Sequence, residues 1–326
     1  MFCGYRRKIA MSGGPRILCV IVLCVCCVLL GQYHLSNSVR NNPQQYNDLN
    51  LESIETRRYV SDAGTLNRIN ECLNYGSENL PPLYIITPTY RRSEQLAELT
   101  RLSHTLMLVP NLYWLVIEDA YKTNDLITDL LKRTGINHVY LTAPMPEQYK
   151  KKKGAKPRGV SNRNKGLEWV RENAKTGVFY FADDDNSYDL QLFNEIRFTR
   201  KVSMFPVGLV TKFGVSTPVI RNGRFSEFYD GWQGGRKFPV DMAGFAVSVQ
   251  FLLERPHAIM PYSPGFEEDG FLKSLKPFEP NEIELLASSC TKIYVWHTQT
   301  KKNEPSSSLA EKYNNTNVHL LKKILV

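Results

Sequence analysis

The chain has 326 residues, 42% hydrophobic and 22% charged, which excludes a wholly disordered, collagen-like or polytopic membrane protein. Lysine plus arginine outnumber aspartate plus glutamate by 41 to 32, a formal +9 that suggests an anionic partner. Seven cysteines are too few for a disulfide scaffold, and five of them fall within the first thirty residues.

Ile17 to Leu30 is an unbroken apolar run, extendable to Tyr33 and preceded by Arg6, Arg7, Lys8 and Arg16. It is short for a membrane span of about 20 residues, and a cleaved signal peptide has an apolar core of similar length. No small-x-small cleavage site follows it, so an anchor is the better reading. The basic flank puts the N-terminus in the cytosol. The expected layout is a cytosolic tail (1–16), a type II transmembrane anchor (17–33), a polar luminal stem (34–80) and a luminal body (81–326). In an oxidising lumen, Cys72 and Cys290 either pair or remain two buried free thiols. Asn314-Asn315-Thr316 is a glycosylation acceptor triplet, with Asn314 as the modified residue.

Beyond Pro81-Pro82 the pattern alternates. Leu83–Thr87, Leu112–Ile117, His138–Thr142 and Val178–Ala182 read as strands. Ser93–Leu108, Thr123–Arg133 (closed by Gly135) and Ser161–Asn173 read as helices. This spacing implies β-α-β units, an α/β fold and a mainly parallel sheet with helices on both faces. Ligands of such sheets sit outside the carboxyl ends of the strands. No G-x-G-x-x-G or phosphate-loop motif occurs.

Those strand ends are acidic and aromatic: Thr87-Pro88-Thr89-Tyr90-Arg91-Arg92, Glu118-Asp119, and Asp183-Asp184-Asp185 after Phe179-Tyr180-Phe181. Three adjacent carboxylates repel one another, and a divalent cation or flanking arginines would relieve them. Oxygen ligands at an exposed strand end suit Mg²⁺ or Mn²⁺ bridging to a phosphate. The competing reading is a solvated acidic turn capping the next helix. Arg163, in the first turns of its helix, can reach this cluster; the Lys150–Lys153 run reads as a solvated loop.

These residues carry a resemblance. I-T-P-T-Y-R-R, P-R-G-V-x-x-R-N, F-A-D-D-D-N-x-Y, F-P-V-D-M-A-G-F-A-V and C-T-K-I-x-V-W-H-T are similar to the β-1,3-glucuronosyltransferases of glycosyltransferase family 43. The resemblance covers about Leu83 to Lys301. It implies a GT-A fold divided into a nucleotide-sugar half (81–190) and an acceptor half (191–326). It also implies an inverting mechanism, Mn²⁺, type II Golgi topology and a homodimer. Pro88, Thr89 and Tyr90 would hold uridine, with Asp119 hydrogen-bonding uracil. Arg158, Arg163 and Asp183 would flank the donor pocket, Asp184 would contact the ribose, and Asp185 would coordinate Mn²⁺. His297 would bind the diphosphate or donor sugar. Trp232, Arg236 and Asp241 match acceptor positions, and Glu268 matches the catalytic base. Read from the residues alone, Glu267 or Asp269 could serve as the base instead, and Trp232 and Phe238 could pack the core.

Two departures stand out. Where the family continues W-H-T-R-T-E, this chain has Gln299 for the arginine, and Lys301 is the nearest compensating cation. Ser216 aligns with a position that can carry an acceptor-contacting glutamate. The expected activity is transfer of glucuronic acid from UDP-glucuronic acid to the 3-hydroxyl of a galactose-terminated glycan, such as the proteoglycan linker. The alternatives are another donor such as UDP-xylose, or a degenerate, membrane-tethered glycan-binding protein. A luminal body removes nucleic acid from the partners.

Overall fold

The structure, a computed structural model, describes residues 80–304 and 306–324. At its centre is β1 (Leu83–Thr89), apolar on both sides as a parallel strand covered by helices must be. Tyr84 and Ile86 enter one core, Leu83 and Ile85 the other, which is the period-two alternation of a strand. There follow α1 (Gln95–Leu106), β2 (Leu112–Glu118), α2 (Asp125–Thr134), β3 (Asn137–Thr142), α3 (Val160–Asn173) and β4 (Val178–Phe181). Each of the predicted elements is present, shifted at its ends by a residue or two. The α2 boundary has a local cause: Asn124 accepts the Leu126 N–H at 3.0 Å, so the helix starts after Asn124. Gly135 ends it at φ 68°, a conformation that costs glycine little.

The chain continues through β5 (Ser187–Tyr188), α4 (Leu190–Ile196), β6 (Val202–Met204), β7 (Val207–Gly208), β8 (Val215–Arg221), β9 (Arg224–Tyr229) and β10 (Phe245–Ser248). Next come α5 (Val249–Leu253), α6 (Glu267–Ser274), β11 (Glu284–Leu285) and β12 (Val295–Trp296). One sheet has seven strands in the order β11-β6-β10-β4-β1-β2-β3, with β10 antiparallel to its neighbours. A smaller sheet has the order β5-β12-β7-β8-β9. Strands from both predicted halves share each sheet, since β4 pairs β10 and β5 pairs β12.

Helices cover both faces of the large sheet. Val160, Leu167 and Val170 of α3 pack with Phe251 and Leu252 of α5 on one side. Leu99 and Leu102 of α1, Ile127 and Leu131 of α2, and Phe193 of α4 fill the other. This is the α/β architecture with helices on both faces of a mainly parallel sheet that the sequence leads one to expect. At the amino ends of the strands, buried Arg197 donates to the carbonyls of Pro81, Pro110 and Asn111, fixing the entries to β1 and β2.

Strand order places the functional end. From β1 the chain moves outward to β2 and β3, then returns through α3 to lay β4 on the other side of β1. All four strands are parallel, so their carboxyl ends form one rim, and a crevice opens where the order reverses. Thr89 closes one side of that crevice and Asp183–Asp185 the other. Among the described residues, no helix is long and apolar enough to cross a membrane. The predicted tail, anchor and stem lie outside the described residues, as does Cys72, except that Leu80 is described. Cys290 is half-buried, and burial pushes its thiol up to about 12, which keeps it protonated. Asn314 is exposed after a short 3₁₀ turn at Glu311–Tyr313.

Candidate active site

A pocket of about 420 Å³ occupies the crevice. Pro88, Thr89, Tyr90, Asp119, Arg158, Arg163, Asp183, Asp184 and Asp185 all line it, together with Arg92, Asn162 and Lys302. Tyr90, half exposed at the end of β1, offers an aromatic face with the Arg92 guanidinium 4.7 Å from its centre. One oxygen of Asp119 accepts the Met145 N–H at 2.7 Å, which fixes the carboxylate beside the pocket.

The three aspartates have different surroundings. Asp183 forms an ion pair with Arg163, and both are largely shielded from water. Arg163 comes from the first turn of α3, where Gly159 at φ 73° leaves room for its guanidinium; a Cβ there would collide with it. Asp184 accepts from Thr89 Oγ1 at 2.7 Å and from Arg92 Nη2 at 2.7 Å. Behind it, Gln95 donates to Thr89 at 3.1 Å and to buried Glu118 at 3.2 Å, so a chain of buried polar groups holds Asp184 in place. Burial raises the Asp184 carboxyl, opposed chiefly by Arg92.

Among the described residues, Asp185 forms no salt bridge of its own, though the charge of Arg92 reaches it. Burial, then Asp183 and Asp184, raise its carboxyl, opposed by the Thr300 backbone N–H and by Arg92. The donor set therefore fits a divalent cation in one particular way. No ready-made group of three His, Cys, Asp or Glu ligands exists among the described residues. One oxygen ligand with only partly relieved negative charge, facing a phosphate-sized pocket, suits a cation completed by diphosphate oxygens and water.

His297 follows β12 and does not line the pocket, but it lies within reach of the acidic rim. Its Nδ1 is 3.3 Å from Asp241 Oδ2, and that partner raises the imidazole to about 9, helped by Asp183 and Asp185. The ring is therefore cationic at neutral pH. Asp241, expected on the acceptor side, is the partner of His297 and also caps Ala243 N–H at 3.0 Å.

The first turn of α6 carries Glu267, Glu268 and Asp269, with Glu268 in electrostatic reach of Asp241 and Arg163. Asp269 is buried and saturated: it accepts the N–H groups of Lys237 and Phe238 and pairs with Lys273 at 2.5 Å. It holds the 237–238 segment and has no spare capacity as a base. Glu268 is only partly exposed. Burial, then the charges of Asp241 and Glu267, push it up to about 7. A carboxylate poised near neutrality can take a proton and release it.

Beside it stands Trp232, 43% exposed, in edge contact with Phe266 at 5.2 Å. Phe238, the other aromatic left open by the sequence, is fully buried and stacks on Phe278 in the core. Arg236 lies 4.5 Å from the Trp232 ring, and its guanidinium pairs with buried Asp230 at 2.9 Å. Asp230 also accepts the Trp232 N–H at 2.8 Å and the Ser216 hydroxyl at 2.5 Å. Ser216 thus braces an aromatic platform through Asp230. Sequence reasoning missed Asp230, Gln95 and the role of Arg92; only Arg92 had a visible signal, its place in T-P-T-Y-R-R. Lys301 does not line the donor pocket, and its neighbour Lys302 does.

A crevice at the strand switch point, lined by an aromatic ring, arginines and an acidic strand end, is the arrangement of a nucleotide-binding α/β protein. The family model of glycosyltransferase family 43 matches residues 102–301, and the chain belongs to that family. Among its relatives, galactosylgalactosylxylosylprotein 3-beta-glucuronosyltransferase P of Drosophila melanogaster is 63% identical over 76% of this chain and 52% of its own length. The chain thus spans about half the length of that relative. Galactosylgalactosylxylosylprotein 3-beta-glucuronosyltransferase S of the same species is 43% identical over 92% of this chain and 75% of its own. Human galactosylgalactosylxylosylprotein 3-beta-glucuronosyltransferase 2 is 45% identical over 71% of this chain and 74% of its own. Among solved structures, S. aureus TarS 1–349 with UDP-GlcNAc has a TM-score of 0.41 at 15% identity. It covers 75% of this chain and 66% of that one, a likeness too slight to carry function.

Proposed function

We propose that the protein is an inverting, Mn²⁺-dependent transferase moving glucuronic acid from UDP-glucuronic acid to the 3-hydroxyl of a terminal β-galactose, as in a proteoglycan linker. The observation that carries the reading is the pocket at the carboxyl rim, lined by Asp185 and Arg163, with the largely shielded Glu268 within electrostatic reach of Arg163 and Asp241. The relatives' names supply the sugar and the acceptor class.

Tyr90 and Asp119 hold the uracil end, with Asp184 at the ribose. Asp185 would hold Mn²⁺, which would supply charge neutralisation for the departing diphosphate. Cationic His297, kept protonated by Asp241, adds a second positive group on that side. The acceptor galactose rests on Trp232, whose ring is fixed by Arg236, Asp230 and Ser216. Glu268 takes the proton of the 3-hydroxyl as that oxygen bonds to the anomeric carbon and the bond to UDP breaks. The carboxylate ends protonated, UDP leaves with the bonding electrons, and no covalent enzyme intermediate is needed. The predicted anchor would place this chemistry at the luminal face of the Golgi membrane.

The test is incubation of the full chain with Mn²⁺, a panel of UDP-sugars and galactose-terminated acceptors. The expected product carries glucuronic acid in β linkage. Transfer only from another UDP-sugar would replace the donor, and no transfer by a folded protein that binds the acceptor would leave a glycan-binding module.

A further inference from the structure

The donor pocket is nearly neutral before its ligand arrives. Asp119, Asp183, Asp184 and Asp185 line it against Arg92, Arg158, Arg163 and Lys302. Arg92 and Arg163 are bound to Asp184 and Asp183. A diphosphate brings further negative charge into this space and requires cations that are not already paired. Among the described residues, Lys302 and Arg158 form no salt bridge with a carboxylate; Arg158 is already assigned to the donor pocket, which leaves Lys302 as the cation without a role.

The segment carrying Lys302 is tied down at both ends. Thr298 Oγ1 donates to the Asp185 carbonyl at 2.5 Å. Thr300 Oγ1 donates to Glu98, and Asn303 donates to Glu94 Oε1 from its backbone at 2.8 Å and its side chain at 2.9 Å. Glu94 and Glu98 lie at the start of α1 and are buried. Two buried carboxylates are thus committed to one surface segment, which fixes its course along the pocket rim between Asp185 and α1. Lys302 sits directly before the Asn303 clasp. Gln299, by contrast, is neutral and lies 3.4 Å from the His297 ring.

We propose that residues 298–303 form a fixed strap that presents Lys302 to the diphosphate of the donor, supplying the cationic contact that Gln299 does not. The inference rests on the donor reading given above. Lys302 binds the leaving group through one charge-assisted hydrogen bond, and the Glu94–Asn303 clasp positions it. No covalent step is assigned to it.

The test compares UDP with uridine, which lacks the phosphates, by calorimetry on the full chain with Mn²⁺. Lys302→Ala should weaken UDP about tenfold and leave uridine unchanged. Lys302→Arg should recover most of the loss, because it keeps the charge and a donor. Asn303→Ala, which removes the side-chain half of the clasp and keeps the backbone bond, should weaken UDP by a smaller factor with uridine again unchanged. Unchanged UDP affinity in Lys302→Ala, with normal wild-type binding, overturns the Lys302 assignment alone. Equal losses for UDP and uridine also overturn it, since the residue would then be shaping the pocket. A wild-type chain that binds neither overturns the donor reading as well.

Discussion

Replacing Glu268 by glutamine should abolish transfer and stabilise the fold at the same time. The carboxyl has an ordinary value of 4.5 and is pushed up to about 7 in the folded protein, first by burial and then by Asp241 and Glu267. Between those values the folded state holds the proton more tightly than the unfolded state. Stability from this group is therefore full below pH 4.5 and falls as pH rises towards 7. The complete difference corresponds to about 3 kcal/mol at 1.36 kcal/mol per pH unit. The partial exposure of Glu268 reduces this to roughly 1–2 kcal/mol. Glutamine has nearly the same shape and no charge at any pH, so Glu268→Gln removes that penalty. For a folded body of this size the melting temperature should rise by about 2–6 °C at pH 8 and not at all at pH 4. Transfer should fall by about 10²–10⁴, the usual contribution of a general base. The assay is thermal melting of both proteins at the two pH values, with sugar transfer measured in parallel. A lower melting temperature at pH 8, an equal gain at both pH values, or turnover within about tenfold of wild type would refute the reasoning.

Glu267→Gln removes a charge that raises Glu268, so the acid limb of kcat/KM, near pH 7 in the wild type, should move to lower pH; an unmoved limb would count against electrostatic contact between the two. Asp185→Asn should weaken Mn²⁺-dependent UDP binding by at least about tenfold and leave uridine binding unchanged, as read by calorimetry with Mn²⁺ or with EDTA. Gly265→Ala places a Cβ 2.8 Å from the Trp232 ring at a backbone φ of +83°, so the platform must shift. Acceptor KM should rise several-fold while donor KM stays constant, and a change confined to donor KM would contradict the assignment of Trp232.

Much of this was legible before the coordinates. Apolar runs of strand and helix length, broken by glycine and proline, placed the core elements because each is set by neighbours in the chain. Arg163 could be matched to the aspartates since helix entry and strand end must meet at one rim of a parallel sheet. Other residues resisted for a common reason. Glu267, Glu268 and Asp269 are chemically alike, and only packing separates them: Asp269 is spent on two distant N–H groups, whereas Glu268 is pushed up to about 7 by burial. Trp232 and Phe238 divide in the same way into platform and core.

The amino-acid sequence by itself determined the α/β alternation, the acidic strand end and, through motif resemblance, the glycosyltransferase family. Those features follow from local periodicity and from clusters of adjacent residues. Tertiary structure alone decided which carboxylate is poised near neutrality, that Asp241 charges His297, that Ser216 braces Trp232 through Asp230, and that Lys302 rather than Lys301 reaches the pocket. Each of those depends on burial or on partners brought together by folding, and side-chain chemistry changes with its surroundings in ways that residue order does not record.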